Sequence, residues 1–468
     1  MTQTPALKRG IRFRDLVLFY VVVVLSVRWT ATAATAGPSI LVVWIAALFG
    51  FFIPLAASVM ELSSRHPEEG GIYVWTREAF GDFSGFICAW TYWMSNLPFF
   101  AGVLYFGAAS ALFAFGSRAQ GLAGNPLYYV AFSIFWLAFI TLLNIRGVDA
   151  GKWLNNIGAL GSLLPLTVLL LLATVSYFRF GPATHITAAS LVPHWSLDNA
   201  VFWSTVFFAF SAIEAASAMG DEIQNPRRAI PWALLIAGFI LAVGYIGGTA
   251  ALLSALPSQA VGGPDGFVNG IHLLAARLGM AWLLAPMALL VALNAVGGAA
   301  ANLSSTARLP FVAGVDRYLP PAFGWIHPRY RTPWVAIAVY GAAGMIVAML
   351  SQAGTTVRGA YDVLVSMSVI SLFLPYLFLF GAMIRLQSQP APPEARRVLG
   401  GKPVAIALAS IGLVSTSGTI VLSVIPSGDE TNKPLAVAKV LGGTFVLVGA
   451  GVAVFLYSRY KTRTQAAS

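Results

Sequence analysis

Twelve runs of mostly apolar residues, each close to the length an α-helix needs to cross a bilayer, fill this chain. A spanning helix takes about 20 such residues. The runs cover residues 16–36, 39–62, 84–115, 127–145, 153–178, 200–220, 230–256, 279–305, 333–350, 359–384, 403–425 and 440–460. They are too long and too evenly apolar for the alternating short strands of a membrane barrel, so the expected class is an all-α polytopic membrane protein. Length alone would suggest about three soluble domains. Composition excludes that reading, because 58% of the residues are hydrophobic and only 10% are charged, too few to coat three water-facing surfaces. The same figures exclude a disordered chain. A single cysteine, Cys88, excludes a disulfide scaffold and any multi-cysteine metal site.

The formal charge of +11 does not point to nucleic acid, because the basic residues lie mostly in short loops between apolar runs. It points to orientation. With an even number of spans both termini share one side. If that side is cytoplasmic, Arg118, Arg179, Arg277, Arg358, Lys433 and Lys439 lie opposite, Arg28 lies within a span, and the rest of the 28 Lys and Arg are cytoplasmic. That asymmetry satisfies the positive-inside rule. The expected location is the cell (plasma or inner) membrane, and the N-terminal segment carries no cleavable leader pattern.

Two spans are interrupted. The first reads Leu25-Ser26-Val27-Arg28-Trp29-Thr30 and the sixth Phe210-Ser211-Ala212-Ile213-Glu214, each polar and charged near its middle. If spans 1–5 and 6–10 are repeats, these are the same position in each, the place where transporters bind their substrates. Arg28 and Glu214 are the charges expected deep within spans, where charge is costly and usually functional. Two readings stay open: the pair locks span 1 to span 6, or both face a cavity, Arg28 toward a carboxylate and Glu214 toward a proton or a substrate charge. Asn96 and Phe100 share a face of span 3. Asn302 in span 8 and Ser366 and Ser368 in span 10 either touch a ligand or bond neighbouring helices. The five histidines fall in loops without ligand spacing, and no HExxH or in-span GxSxG motif is present, so neither an enzyme nor a cofactor is expected.

Three loops carry a resemblance: PEEGGIYVWTREAFG at 67–81, GDEIQNPRRAIP at 220–231 and DRYLPPAFGWIHPRYRTP at 316–333. With the twelve spans, the chain resembles the amino acid–polyamine–organocation transporter superfamily over nearly its whole length. EEGGIYVW, the NPxRxxP loop and LGGKPVAIALASIGL at 399–413 look most like the glutamate/GABA antiporter branch. The resemblance implies a core, residues 1–384, of two inverted five-helix repeats (about 14–178 and 199–384) with helices 1 and 6 broken. Two peripheral helices follow at 403–460. It implies that Ser26, Val27, Arg28, Trp29 and Thr30 with Phe210, Ser211, Ala212 and Ile213 hold the substrate. Asn96, Phe100, Asn302, Ser366 and Ser368 would select its side chain, Trp29 and Phe210 would gate it, and Glu214 would couple.

The chain also departs from that family. Helix 1 lacks the usual glycine-rich break, Asn302 stands where several members have tryptophan, and residues 161–165 hold no lysine, which weakens simple proton symport. Ser304 and Ser305 are candidate sodium ligands. The expected activity is exchange of acidic or neutral amino acids or related small organic ions, the substrate carboxylate meeting the positive ends of the half-helices. The alternatives are a proton- or sodium-coupled amino acid or polyamine symporter, and a sensor on the same fold that binds without transporting.

Overall fold

Backbone placed in lipid must satisfy its own hydrogen bonds, which limits apolar runs of this length to helices. The computed structural model describes residues 9–467 apart from 117–118, 120, 263–264, 317, 352–356 and 426–432; side chains at 148–150, 357–370 and in parts of the last helix also lie outside the description. Among the described residues there is no strand, and one isolated parallel bridge joins Ile11 to Ile223.

The first unit runs α1 (Phe13–Val24), α2 (Arg28–Ala34), α3 (Ile40–Ala47) and, through a π-turn at Leu48–Phe52, α4 (Ile53–Arg65). It continues with the short α5 (Ile72–Phe80), α6 (Asp82–Ser95), α7 (Leu97–Ala114), α8 (Pro126–Arg146) and α9 (Val148–Phe180). The second unit follows the same order. A broken helix comes first, α10 (Leu197–Phe208) and a 3-10 stretch at Ala215–Glu222, then the long α11 (Pro226–Ala255) and the short α12 (Gly266–Arg277). Next come α13 (Leu284–Thr306) with α14 (Arg308–Val315), α15 (Trp334–Leu350) and α16 (Val357–Leu386). Outside this repeat lie α17 (Gly401–Val424) and α18 (Lys433–Ala467).

Eight stretches among the described residues are long and apolar enough to span: Phe13–Ala34, Ile40–Arg65, Asp82–Ala114, Pro126–Arg146, Gly151–Phe180, Pro226–Ala255, Ala281–Gly314 and Gly401–Val424. Trp334–Leu350 and Ser371–Leu386 are shorter apolar helices. The sixth apolar run is not one helix, because α10 stops at Phe208 and helical turns resume only at Ala215.

Small residues place the core. α9 packs along α13, α13 along α7, and α1 is enclosed by α9, α11 and α13. At the α9–α13 crossing a Cβ on Gly297 would stand 2.7 Å from the Gly158 Cα, and Asn294 Nδ2 donates to the Gly158 carbonyl at 3.0 Å. Glycine lets membrane helices approach this closely. Gly297→Val is expected to force α9 and α13 apart at about 1–3 kcal/mol, seen as a lower midpoint of thermal unfolding in detergent; an unchanged midpoint would refute that close contact. The periphery is looser. α17 leans on α16 and α4, and α18 on α6. Only 28% of the most apolar part of Gly401–Val424 is buried, against 83% for Asp82–Ala114, so the rest of the chain leaves most of α17 uncovered.

Candidate functional site

The two interruptions are neighbours in space. α1 ends at Val24, and Leu25, Ser26 and Val27 leave the helix before α2 resumes at Arg28. The Tyr245 hydroxyl of α11 sits between the breaks. It hydrogen-bonds the Val24 carbonyl, lies 3.1 Å from the Ala209 carbonyl and accepts from the Ser26 N–H at 3.3 Å. The helix 1 break is thus held by a polar group from another helix, as irregular backbone at membrane depth requires.

The second break is tighter. Ala212 adopts φ +70, a left-handed conformation that costs an ordinary residue of order 1–3 kcal/mol. Its N–H donates to the Tyr376 hydroxyl at 2.7 Å. That hydroxyl in turn donates to Glu214 Oε2 at 3.0 Å, while the Tyr92 hydroxyl donates to Glu214 Oε1 at 2.6 Å. Glu214 is 2% exposed. Both of its carboxylate oxygens are therefore held by tyrosines, from α6 and α16.

Arg28 is also buried, but its partners are few. Its guanidinium stacks 4.4 Å over the Trp29 ring, and among the described residues its Nε and Nη1 have no hydrogen-bond partner. No ion pair joins it to Glu214 among the described residues. Of the two readings left open for the pair, the contacts show the tyrosines on both oxygens of Glu214 and two nitrogens of Arg28 without an acceptor among the described residues. Ser26 Oγ and the Tyr20 hydroxyl of α1 are likewise buried without partners.

The remaining residues divide. Val27 accepts from the Thr30 hydroxyl at 2.6 Å, so Thr30 closes the first turn of α2 rather than facing outward. Trp29 meets Phe208 edge-on at 5.7 Å, and the cleft beside them, lined by Thr32, Ala33, Phe202 and Thr205 among others, is too narrow for a water molecule. The two expected gating residues, Trp29 and Phe210, take different ring neighbours. Phe210 is fully buried against Trp44, Phe52 and Tyr245. Asn302 Nδ2 donates to Asn96 Oδ1 at 2.9 Å, and Asn96 Nδ2 donates to the Tyr92 carbonyl at 2.8 Å, a chain that ends on the backbone of the residue whose hydroxyl holds Glu214. Phe100 instead packs on Tyr340 at 5.1 Å, toward α15. Ser211 and Ile213 are buried within the helix 6 break. Ser304 donates to the Met219 sulfur at 3.6 Å and Ser305 donates to carbonyls of its own helix, which leaves the oxygen lone pairs of both hydroxyls uncommitted among the described residues. The side chains of Ser366 and Ser368 lie outside the described residues.

Two further polar groups are buried toward the end of the bundle that carries the basic loops. Arg308, 1% exposed, holds Glu222 through Nε at 3.1 Å and Nη2 at 2.8 and 3.0 Å. Arg65 grips Glu61 of the preceding turn at 3.0 and 2.6 Å, and Gln387 Nε2 donates to the same Glu61 oxygen at 2.8 Å. By sequence, Arg65 and Arg308 are expected among the loop charges that merely set orientation. Instead they are buried ion pairs. His272, also expected in a loop, lies on α12.

Sequence reasoning missed Tyr92, Tyr245 and Tyr376. A tyrosine within an apolar run reads as packing, and nothing in the run shows that its hydroxyl reaches a break on another helix.

Known proteins are similar to this chain in sequence. The profile of the amino acid permease family matches residues 11–447. An uncharacterized transporter of Legionella pneumophila is 28% identical over 90% of each chain. A probable agmatine/putrescine antiporter of Lactococcus lactis is 22% identical over 88% of this chain and 87% of its own. A serine/threonine exchanger of Bacillus subtilis is 25% identical over 73% of this chain and 74% of its own.

Proposed function

This chain belongs to the amino acid permease family and is a transporter rather than an enzyme, and from that premise we propose that it exchanges α-amino acids by alternating access. The observation that carries the reading is the pair of opposite charges, Arg28 and Glu214, buried at neighbouring breaks without pairing to each other. An unpaired buried cation is expensive unless an anion meets it. A substrate carboxylate satisfies Arg28, and an ammonium approaching Glu214 meets a carboxylate already oriented by two tyrosines. A zwitterion supplies both.

A diamine supplies no anion for Arg28. That argues against agmatine or putrescine as the main substrate here, although one relative is named for both. The named activities of the antiporter and the exchanger support exchange over symport. In the proposed cycle, the Trp29–Phe208 seam closes one side and the buried charged cluster around Arg308 closes the other. We place the protein in the cell membrane, both termini cytoplasmic, on the basic-loop asymmetry, and take residues 1–384 as the transporting core.

Counterflow in proteoliposomes tests the proposal, using labelled glutamate, 4-aminobutyrate, leucine, serine, arginine and putrescine against excess internal unlabelled compound. Expected is counterflow for at least one α-amino acid and none for putrescine. Putrescine exchange without amino acid exchange would overturn the zwitterion reading. Uptake that needs a proton or sodium gradient and gains nothing from internal substrate would replace exchange with symport. Ligand binding without any counterflow would indicate a sensor.

A further inference from the structure

The cluster at the basic end contains one carboxylate too many. Arg308 is the cation among its contacts, and its guanidinium is committed to Glu222 and, through Nη1, to the Ser304 carbonyl. Glu69, in the loop between α4 and α5, is buried in the same place at 7% exposure. Its Oε2 accepts from the Asp221 N–H at 3.0 Å. Its Oε1 lies 3.9 Å from Arg308 Nε, too far for a hydrogen bond, and has no hydrogen-bond partner among the described residues. The groups facing Glu69 are Glu222 and Asp221 from the 3-10 stretch and Arg308 from the α13–α14 junction, with Glu68 beside it on its own loop. Two carboxylates against one guanidinium leave a net negative charge out of water, which a protein normally avoids by neutralising a group.

The loop that carries Glu69 is part of a closure. The Gly70 N–H donates to the Ala218 carbonyl at 3.1 Å, and Gly71, at φ +41, lies so close to Ser217 and Ala218 that a Cβ there would collide with them. The Ile11 N–H donates to the Glu222 carbonyl at 3.1 Å and the Gln224 N–H to the Ile11 carbonyl at 3.0 Å, tying the N-terminal segment to the same stretch. The 3-10 stretch, the 66–71 loop and the α13–α14 junction must part for substrate to leave the helix 6 break at this end.

We propose that Glu69 is a proton-binding site of the cytoplasmic gate: it holds a proton while the gate is closed and releases it to cytoplasmic water when the gate opens. The step is Glu69–COOH giving Glu69–COO⁻ and a hydrated proton, reversed on closing, with no other bond changed. Burial, reinforced by the Glu222 charge, pushes the Glu69 carboxyl well above the ordinary glutamate range, against the opposing pull of Arg308 and the Asp221 N–H. The sign follows. The closed gate binds a proton that the open gate does not, so it is favoured at low pH, and raising cytoplasmic pH through the interval between the two values favours opening. The inference rests on the transporter reading for its gate but not for its proton.

The test therefore has separate readouts. The infrared difference between wild-type protein and Glu69→Gln in detergent, without substrate, should contain a protonated-carboxyl band at neutral pH; its absence would overturn the proposal whether or not transport occurs. Counterflow in vesicles of one orientation should slow several-fold as cytoplasmic-side pH is lowered, with little response to pH on the other side. Glu69→Gln should hold its acid-side rate at every pH, while Glu69→Asp should restore a pH-dependent profile. A Glu69→Gln profile that follows wild type would overturn the gate role even with the infrared band present. If Glu69→Gln fails to fold, Arg308→Lys provides the second variant, expected to shift the infrared titration of Glu69; no shift would count against the site. Absence of counterflow in wild type would refute the transporter reading while leaving the infrared result standing.

Discussion

Arg308→Ala is expected to destabilise the protein by about 3–5 kcal/mol, the usual effect of breaking a buried pair by removing one partner. The reason is what remains. Glu222 is 1% exposed and loses all three guanidinium contacts, Glu69 loses its nearest cation, and two carboxylates are left facing each other away from water. The α13–α14 junction also loses the link from Nη1 to the Ser304 carbonyl. Tryptophan fluorescence of detergent-solubilised protein would report a markedly lower midpoint. Replacing both members with apolar residues of similar size, Arg308→Met with Glu222→Leu, should recover most of the loss, because a well-packed apolar pair often matches a buried ionic one. An Arg308→Ala midpoint within the range of surface substitutions, about 0.5 kcal/mol, would show that water reaches the cluster and that the contacts carry little.

That pair also marks the limit of what the chain displays before it folds. The spans were legible because twenty apolar residues in a row have few other fates, and the breaks were legible because Ser26 to Thr30 and Ser211 to Glu214 put polar groups where lipid-facing helix would not. The left-handed turn at Ala212 was not legible, since alanine is the residue most at home in a helix and the Tyr376 hydroxyl that takes its N–H comes from a distant helix. Glu222 and Arg308 stand 86 positions apart. Each lies beside a loop in sequence, where a charge ordinarily meets water, and only the folded closure removes both from solvent. Glu61 and Arg65 were hidden differently: a turn apart at the end of a span, they resemble a surface pair until Gln387 covers them. Phe208 and Phe210 could not be told apart by composition. They lie two positions apart across the end of α10, so a helix that stops at Phe208 sends their rings in different directions.

Arg28→Ala should raise the KM for carboxylate-bearing substrates by roughly 10–100-fold, since a hydrogen bond to a charged group is worth about 1.5–3 kcal/mol. The expectation follows from the guanidinium's unfilled capacity. Arginine carries five donors in a planar fork suited to a carboxylate, and here Nε and Nη1 meet no acceptor among the described residues although the side chain is 5% exposed. A buried donor set left open in the resting protein is a place where a ligand's acceptors gain without displacing a protein partner. Arg28→Lys should retain part of the affinity, because it keeps the charge and loses the fork. The competing account is structural: the guanidinium stacks on Trp29 and holds that ring against Phe208. The two accounts separate cleanly. A structural prop, when removed, lowers the unfolding midpoint and slows all substrates alike. A carboxylate ligand, when removed, weakens amino acids while sparing amines, which no longer approach a buried cation. An Arg28→Ala transporter that kept its wild-type KM for glutamate and leucine would return the substrate carboxylate to backbone groups of the two breaks and leave Arg28 as scaffold.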